Sequence, residues 1–216
     1  DARALRALPH ATPVSVLPNA IQVETYRPED TPPAPVPHPA LVFTGKMDFR
    51  PNVDAALWFA GEILPLVRRQ IPDAHFIVVG QKPHPRLMAL DGQPGLVITG
   101  RVADIQPYLA AADVYVAPLR MGSGTRLKLL EAMAMARPIV STTLGAEGFD
   151  LSDGQQIRLA ERPDCFARAI VELLGDPQRR AALGRAGRAF VQGSYDWPAL
   201  IPKLEAVYES HRTRRA

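Results

Sequence analysis

Short apolar runs recur along the middle of the chain, separated by longer stretches in which apolar residues return every three to four positions. The runs are ALVFTG (40–45), HFIVVG (75–80), LVITG (96–100), VYVAP (114–118), PIVST (138–142) and the more polar QIRLA (156–160). Continuous apolar runs predict strands buried on both faces, and the polar content of the sixth predicts an edge. Helices are predicted from about 52 to 70, 85 to 90 and 104 to 111, and from the glycine-rich turn after 118 to about 136. Three more are predicted over about 164–174, 177–191 and 197–210. Strands separated by helices imply βαβ units with right-handed crossovers. The expected fold class is α/β: a Rossmann-like, open, mostly parallel six-stranded sheet with helices on both faces, and no internal repeat.

Proline divides the chain. Six prolines fall in PEDTPPAPVPHP, Pro28 to Pro39, which predicts an extended linker or surface strap. The reading is therefore 1–39 as a segment joining to another domain, 40–195 as the body, and 196–216 as a last helix with a basic tail. With 216 residues and 47% apolar content, whole-chain disorder is excluded. Cys165 is the single cysteine, so neither an internal disulfide nor a cysteine-based metal site is available. There is no apolar run near the roughly 18 residues of a membrane span and no signal peptide, so a cytoplasmic location is expected. The chain starts without Met and reads as processed or as part of something longer.

Charge changes this picture little. The net charge is +3, and the excess lies late, at Arg179, Arg180, Arg185, Arg188, Arg212, Arg214 and Arg215. A solvated helix face and tail is one reading. Loose contact with an anionic membrane surface, peripheral at an inner membrane, is the other. Basic residues are not interleaved with aromatics, which argues against nucleic acid.

In open α/β sheets ligands sit beyond the carboxyl ends of the strands, so the loops after Gly45, Gly80, Gly100, Pro118 and Thr142 are the places to inspect. The most informative stretch is PLRMGSGTRLKLLEAMA, 118–134. Gly122, Ser123 and Gly124 permit a tight turn, and a helix is expected to begin with Thr125, Arg126 and Leu127. Free amides at a helix start, with Arg126 and Lys128 beside them, suit a phosphate. The plainer alternative is that Ser123 or Thr125 caps the helix and the basic residues are solvated. GSGTRL matches the GxGxxG dinucleotide fingerprint only loosely and follows the fourth run rather than the first, which argues against an NAD site. Leu127, Leu130 and Ala134 are expected to face the sheet, with Glu131 at the edge of their stripe. A carboxylate there can accept two hydroxyls of a ribose diol, or pair with Lys128 at i,i+3.

Lys46 and Arg50 follow the first run, where a pyrophosphate could lie or where both could be solvated. Arg101 and Val102 follow the third, where backbone groups could meet a base edge, and Asp104 is a helix cap. Glu147 lies in the loop after the fifth run, in reach of the same crevice. His38, His75 and His84 lack metal-ligand spacing, and no Ser–His–Asp set is apparent.

The segments GKMDFRPNVDAALWF, FIVVG, TGRVADIQPYLAAADVYVAPLR, GSGTRLKLLEAMAMARPIVSTTLGAEGFD and YDW resemble the C-terminal donor-binding domain of family 4 glycosyltransferases. Those are retaining enzymes of the GT-B fold. The GTRLK…LEAMA wording resembles bacterial exopolysaccharide transferases of PEP-CTERM loci. VSVLPNAIQVETYRP (14–28) resembles the family's interdomain segment, with Ala20, Ile21 and Gln22 replacing its usual Gly, Val and Asp.

The resemblance implies a nucleotide-diphosphate sugar as donor substrate, no cofactor and no metal. It implies ribose binding at Glu131, with Ser123 standing where the family usually has a sugar-facing glutamate. The amides from Gly124 to Leu127, Thr125 included, would then carry more of the sugar recognition. It implies leaving-diphosphate stabilisation by Lys46, next to Gly45, with Arg126 and Lys128. The family's second basic position falls near Asn52, and Arg50 is the substitute candidate. Val102 would give a backbone contact to the base. An acceptor-binding N-terminal domain is implied as partner, so the chain should bind donor but transfer nothing alone. The last helix should cross toward that domain. A nucleotide-sugar 2-epimerase and a non-catalytic nucleotide-sugar-binding module are the competing readings. A receiver-like signalling domain is disfavoured by the six runs and by the lack of an acidic pair near the first strand.

Overall fold

The computed structural model describes residues 5–8 and 14–212; the basic residues Arg214 and Arg215 lie outside them. Six strands form one sheet: β1 (Ala40–Thr44), β2 (His75–Val79), β3 (Leu96–Gly100), β4 (Val114–Ala117), β5 (Ile139–Ser141) and β6 (Arg158–Leu159). Their order is β3-β2-β1-β4-β5-β6 and every pairing is parallel. β1 is central: Val42 aligns with Ile77 on one side and Tyr115 on the other. The chain winds outward from β1 through β2 to β3, then returns to the opposite side of β1 with β4. That reversal opens a crevice beyond the carboxyl ends of β1 and β4.

Side-chain alternation on β1 supplies both cores. Leu41 and Phe43 face the layer formed by α1 (Arg50–Trp58), a π-helical turn (Phe59–Ile63), α2 (Leu64–Arg68) and α6 (Pro163–Gly175). Phe59 stacks on Phe76 at 4.2 Å and meets Phe166 edge-on at 6.0 Å. The π-turn has a local cause. Pro65 has no N–H for the carbonyl of Gly61, so the α-helical ladder cannot continue there. Ala40 and Val42 face the other layer, which contains α4 (Gln106–Ala111), α5 (Leu127–Ala134) and α7 (Pro177–Ser194). α3 (Pro85–Met88) is a single turn after β2.

α5 and α7 approach closely because α7 presents Gly184 and Gly187. A Cβ on Gly184 would lie 2.1 Å from the Ala136 carbonyl oxygen, and one on Gly187 would lie 3.2 Å from Met133 Cγ. Gly184→Val should therefore destabilise the chain by roughly 1–3 kcal/mol through overpacking. For a chain of this size each kcal/mol lowers Tm by about 2–4 °C. Thermal melts would check it; an unchanged Tm would mean the two helices are not held at this spacing.

The proline-rich stretch runs over the body surface. Ala34 is buried and its N–H donates to the Pro107 carbonyl at 2.8 Å. Upstream, Ile21 forms an isolated parallel bridge with Asp196, and Asp196 Oδ1 accepts from Val23 N at 3.1 Å and Trp197 N at 3.0 Å. The PNAIQV and YDW segments, far apart in sequence, thus meet at the start of α8 (Trp197–Arg212). Two of the late arginines are not part of a purely solvated face. Arg180 Nη1 donates to the carbonyls of Leu173 and Leu174, and Arg188 Nη1 to those of Tyr26 and Ala134. Carbonyls near the ends of α6 and α5 attract these guanidinium groups.

Candidate functional site

A cavity of about 320 Å³ lies at the reversal point. Thr44, Gly45 and Lys46 line it from the end of β1, Val79, Gly80 and Gln81 from β2, Arg101, Val102 and Ile105 after β3, and Lys128 and Glu131 from α5. Three strand ends and one helix therefore converge, as the open-sheet rule expects. Gly80 is required by proximity: a Cβ there would lie 1.6 Å from the Gly45 carbonyl oxygen. Gly45 leaves room for polar side chains, since its own Cβ would lie 2.6 Å from Asn52 Nδ2 and 2.8 Å from Lys128 Nζ.

Lys128 is the most perturbed group of the site. Its ammonium donates to Asn52 Oδ1 at 2.7 Å and sits over the Phe43 ring, 4.3 Å from the centroid. Burial, followed by the positive charge of Arg126, pulls its pKa down to about 7, against an opposing pull from Glu131. An anion entering the cavity would reverse that balance and favour the charged ammonium.

Glu131 carries the complementary charge. Burial raises its carboxyl pKa, partly offset by Lys128 and by a hydrogen bond with Tyr26. The Tyr26 hydroxyl is in turn pushed up to about 12, by burial first and then by Glu131. Beneath the cavity floor, Tyr115 and Thr44 share a 2.8 Å hydrogen bond, and burial pushes the Tyr115 phenol far up. The site thus joins exposed Lys46 and Arg101, a Lys128 ammonium whose pKa burial pulls down, and one half-buried carboxylate. This set suits a ligand with a phosphate group at one end and hydroxyl donors at the other.

The structure brings Gly45, Lys46, Arg101, Val102, Lys128 and Glu131 together around this cavity. It does not bring Arg50 there. Arg50 opens α1 on its outer side and lines a separate hollow with Asp54, His84 and Arg120. Ser123, Gly124, Thr125, Arg126 and Leu127 also lie outside the cavity lining. The helix starts later than the sequence suggests, with Arg126 as its N-cap and Leu127 as its first residue, and no side chain caps it. Positive φ at Gly122 and Gly124, +105° and +85°, prolongs the turn. Leu127 is consequently 45% exposed, and Leu129, Leu130 and Met133 form the buried face instead. Arg126 folds onto its own loop: Nη1 donates to the Ser123 carbonyl at 2.6 Å, while Nε and Nη2 are buried without partners. Glu147 lines another hollow, with Phe149 and Glu161.

Sequence reading missed Thr44, Gln81 and Ile105 as lining residues and Tyr26 as a partner of Glu131. Gln81 and Thr44 sit at strand ends, which could have singled them out; nothing local marks Tyr26. Among the described residues no group of three or more His, Cys, Asp or Glu side chains could hold a metal, and no helix is long and apolar enough to cross a membrane.

Comparison with known proteins places the chain in a family and a fold. Residues 38–176 match the family described as "Glycosyl transferases group 1". The chain is 31% identical over 160 residues to a GDP-mannose-dependent monoacylated alpha-(1-6)-phosphatidylinositol monomannoside mannosyltransferase of Corynebacterium glutamicum, covering 68% of this chain and 42% of that protein. The chain therefore spans less than half the length of that relative. Sucrose-phosphate synthase from Thermosynechococcus elongatus superposes with a TM-score of 0.72 at 21% identity, over 97% of this chain and 55% of that one. Anabaena Alr3699/HepE, in complex with UDP and glucose, superposes at 0.71 and 15% identity, over 91% and 56%. At these identities the superpositions speak for the fold.

Proposed function

The chain belongs to the group 1 glycosyl transferases, and on that premise we propose that its cavity binds the nucleoside-diphosphate part of a sugar donor. The observation that carries this reading is the convergence of Lys46 and Lys128 at the reversal point of the sheet, opposite the half-buried Glu131. Glu131 takes the ribose hydroxyls. Val102 offers backbone groups to the base, with Ile105 and Arg101 beside it. Lys46 and Lys128 face the diphosphate, and the Arg126 charge adds to theirs from behind.

In the reaction the bond between the anomeric carbon and the diphosphate oxygen breaks, and its electrons remain on that oxygen. The two lysines stabilise the growing negative charge with no cofactor or metal ion. The acceptor hydroxyl oxygen forms the new bond to the anomeric carbon with retention of configuration, and its proton passes to the leaving diphosphate oxygen. The Gly124–Leu127 backbone, with Ser123 and Thr125, lies on the sugar side. The similar mannosyltransferase supports GDP-mannose as donor and a lipid-linked glycan as acceptor. An exopolysaccharide acceptor is the related reading that the sequence wording supports. An acceptor domain from the same protein completes the cleft, at the cytoplasmic face of a membrane.

The test is a transfer assay with GDP-mannose and UDP-glucose, run on the whole protein and on this chain alone. Transfer by the whole protein and donor binding without transfer by the chain alone are expected. Transfer by the chain alone would overturn the two-domain reading.

A further inference from the structure

Asn52 is only 6% exposed, yet it carries two hydrogen bonds that meet at the site. Its Nδ2 donates to the Lys46 carbonyl at 3.0 Å, and its Oδ1 accepts from Lys128 Nζ at 2.7 Å. One amide therefore ties the loop bearing one cation to the ammonium of the other. Pro51 and Asn52 open α1, and the Asn52 backbone N–H donates to the Phe49 carbonyl at 2.9 Å. The side chain is thus fixed at the base of the loop that follows β1. Gly45 supplies the space, since its Cβ would fall on both Nδ2 and Nζ.

We propose that Asn52 is a positioning residue for the diphosphate, aiming the Lys128 ammonium into the cavity while holding the Lys46 loop against it. This rests on the donor reading above and deepens it. Asn52 itself does not line the cavity; it acts through the two lysines. Its chemistry fits the task. An amide oxygen satisfies one of the three ammonium donors and leaves two for an incoming anion. Being neutral, it does not cancel the charge that the anion must find. A carboxylate at the same place would form an ion pair and compete with the diphosphate. An apolar side chain would leave a buried ammonium without its acceptor.

Other charges act on Lys128 as well. Arg126 and Glu131 lie on its own helix. Lys46, ion-paired with Asp48 at 3.6 Å, faces the cavity from the β1 loop, and Arg101 faces it from the β3 loop. Tyr26 stands behind Glu131. None of these residues is changed in the Asn52 variants. Of them Lys46 is tied to Asn52, and both variants lose that tie alike, so opposite displacements in the two variants report on the group at position 52.

The chain has four lysines, Lys46, Lys82, Lys128 and Lys203, which makes the experiment tractable. Lysine carbons next to the ammonium are followed by NMR through a pH titration of the wild type, Asn52→Asp and Asn52→Leu, with Lys128→Met assigning the signal. Asn52→Asp should raise the Lys128 midpoint by about one to three pH units, the usual effect of an adjacent opposite charge. Asn52→Leu should lower it. Opposite displacements are not produced by loosened packing. Midpoints that stay put, or that move the same way in both variants, overturn the proposal.

GDP and UDP are then titrated against the same proteins, with guanosine and uridine as controls. Both Asn52 variants should lose about tenfold or more in diphosphate affinity and none in nucleoside affinity, the size expected for losing a charged hydrogen bond. Equal diphosphate affinity in the variants would overturn the positioning role. Equal diphosphate affinity in Lys128→Met would instead overturn the donor reading, while the NMR midpoints still decide whether Asn52 controls Lys128.

Discussion

Lys128→Met should lower kcat of the whole protein by about 10²–10³, the effect of removing one preorganised donor to a developing oxyanion, roughly 2.7–4 kcal/mol. The loss falls on the chemical step because the ammonium meets most charge after the sugar–phosphate bond begins to break. The same substitution should stabilise the fold. Burial, first among the causes, lowers the Lys128 pKa to about 7 from the 10.5 of an exposed lysine. Between those values the unfolded chain binds more protons than the folded one, so the lysine makes stability rise with pH across that window. Its burden is full below about pH 7 and gone above the unfolded pKa. The gain on removing it should therefore be largest at and below neutral pH, measurable by denaturant melts. A variant with wild-type kcat would place the diphosphate elsewhere. Binding should also be linked to protons. A bound diphosphate draws Lys128 into its charged form, so nucleotide affinity should fall above pH 7, by at most about tenfold per pH unit. Lys128→Met should abolish that slope.

Glu131→Ala should weaken nucleoside-diphosphate binding by roughly 10²-fold or more, since a carboxylate bonded to two hydroxyls loses two charge-assisted hydrogen bonds. The stability effect again has the opposite sign for the isosteric Glu131→Gln. Burial raises the Glu131 carboxyl, so the folded chain holds its proton above the unfolded pKa, and the ionised carboxylate weakens the fold as pH rises through that range. Glu131→Gln removes the buried charge and should melt higher than wild type at pH 8 while binding more weakly. Such a pair of results marks a residue kept for its chemistry against the interest of the fold. A glutamate that served only to pair with Lys128 would show destabilisation with unchanged nucleotide affinity.

Much of this architecture is legible in the sequence because the signals are local. Continuous apolar runs ending in glycine at Gly45, Gly80 and Gly100 mark the ends of strands, and all three strands are present. Lys46, Arg101 and Val102 are marked by their places after β1 and β3, and Lys128 and Glu131 by the glycine-rich turn and helix after β4. What the sequence does not reveal depends on direction and distance. Arg50 and Lys46 lie four residues apart in one loop, yet only Lys46 lines the cavity, because α1 turns Arg50 outward. Arg126 and Lys128 lie two apart at one helix start, and the late entry of the helix sends Arg126 back onto its loop. Asn52 is marked in the sequence only as falling near the family's second basic position; its 2.7 Å contact with Lys128, 76 positions away, is not legible there. Tyr26 stands near Glu131 through long-range contacts: Ile21 and Val23 are anchored at Asp196, and Arg188 donates to the Tyr26 carbonyl.

The central claim is that Lys128 and Glu131 serve one nucleoside-diphosphate ligand. Calorimetric titration of the chain with GDP, UDP and ADP, repeated with Lys128→Met and Glu131→Ala, tests it most directly. Saturable binding of one nucleotide, weakened by both substitutions and accompanied by proton uptake above pH 7 in the wild type alone, is the expected result. Binding that survives both substitutions undiminished would contradict the account and place the nucleotide outside this cavity.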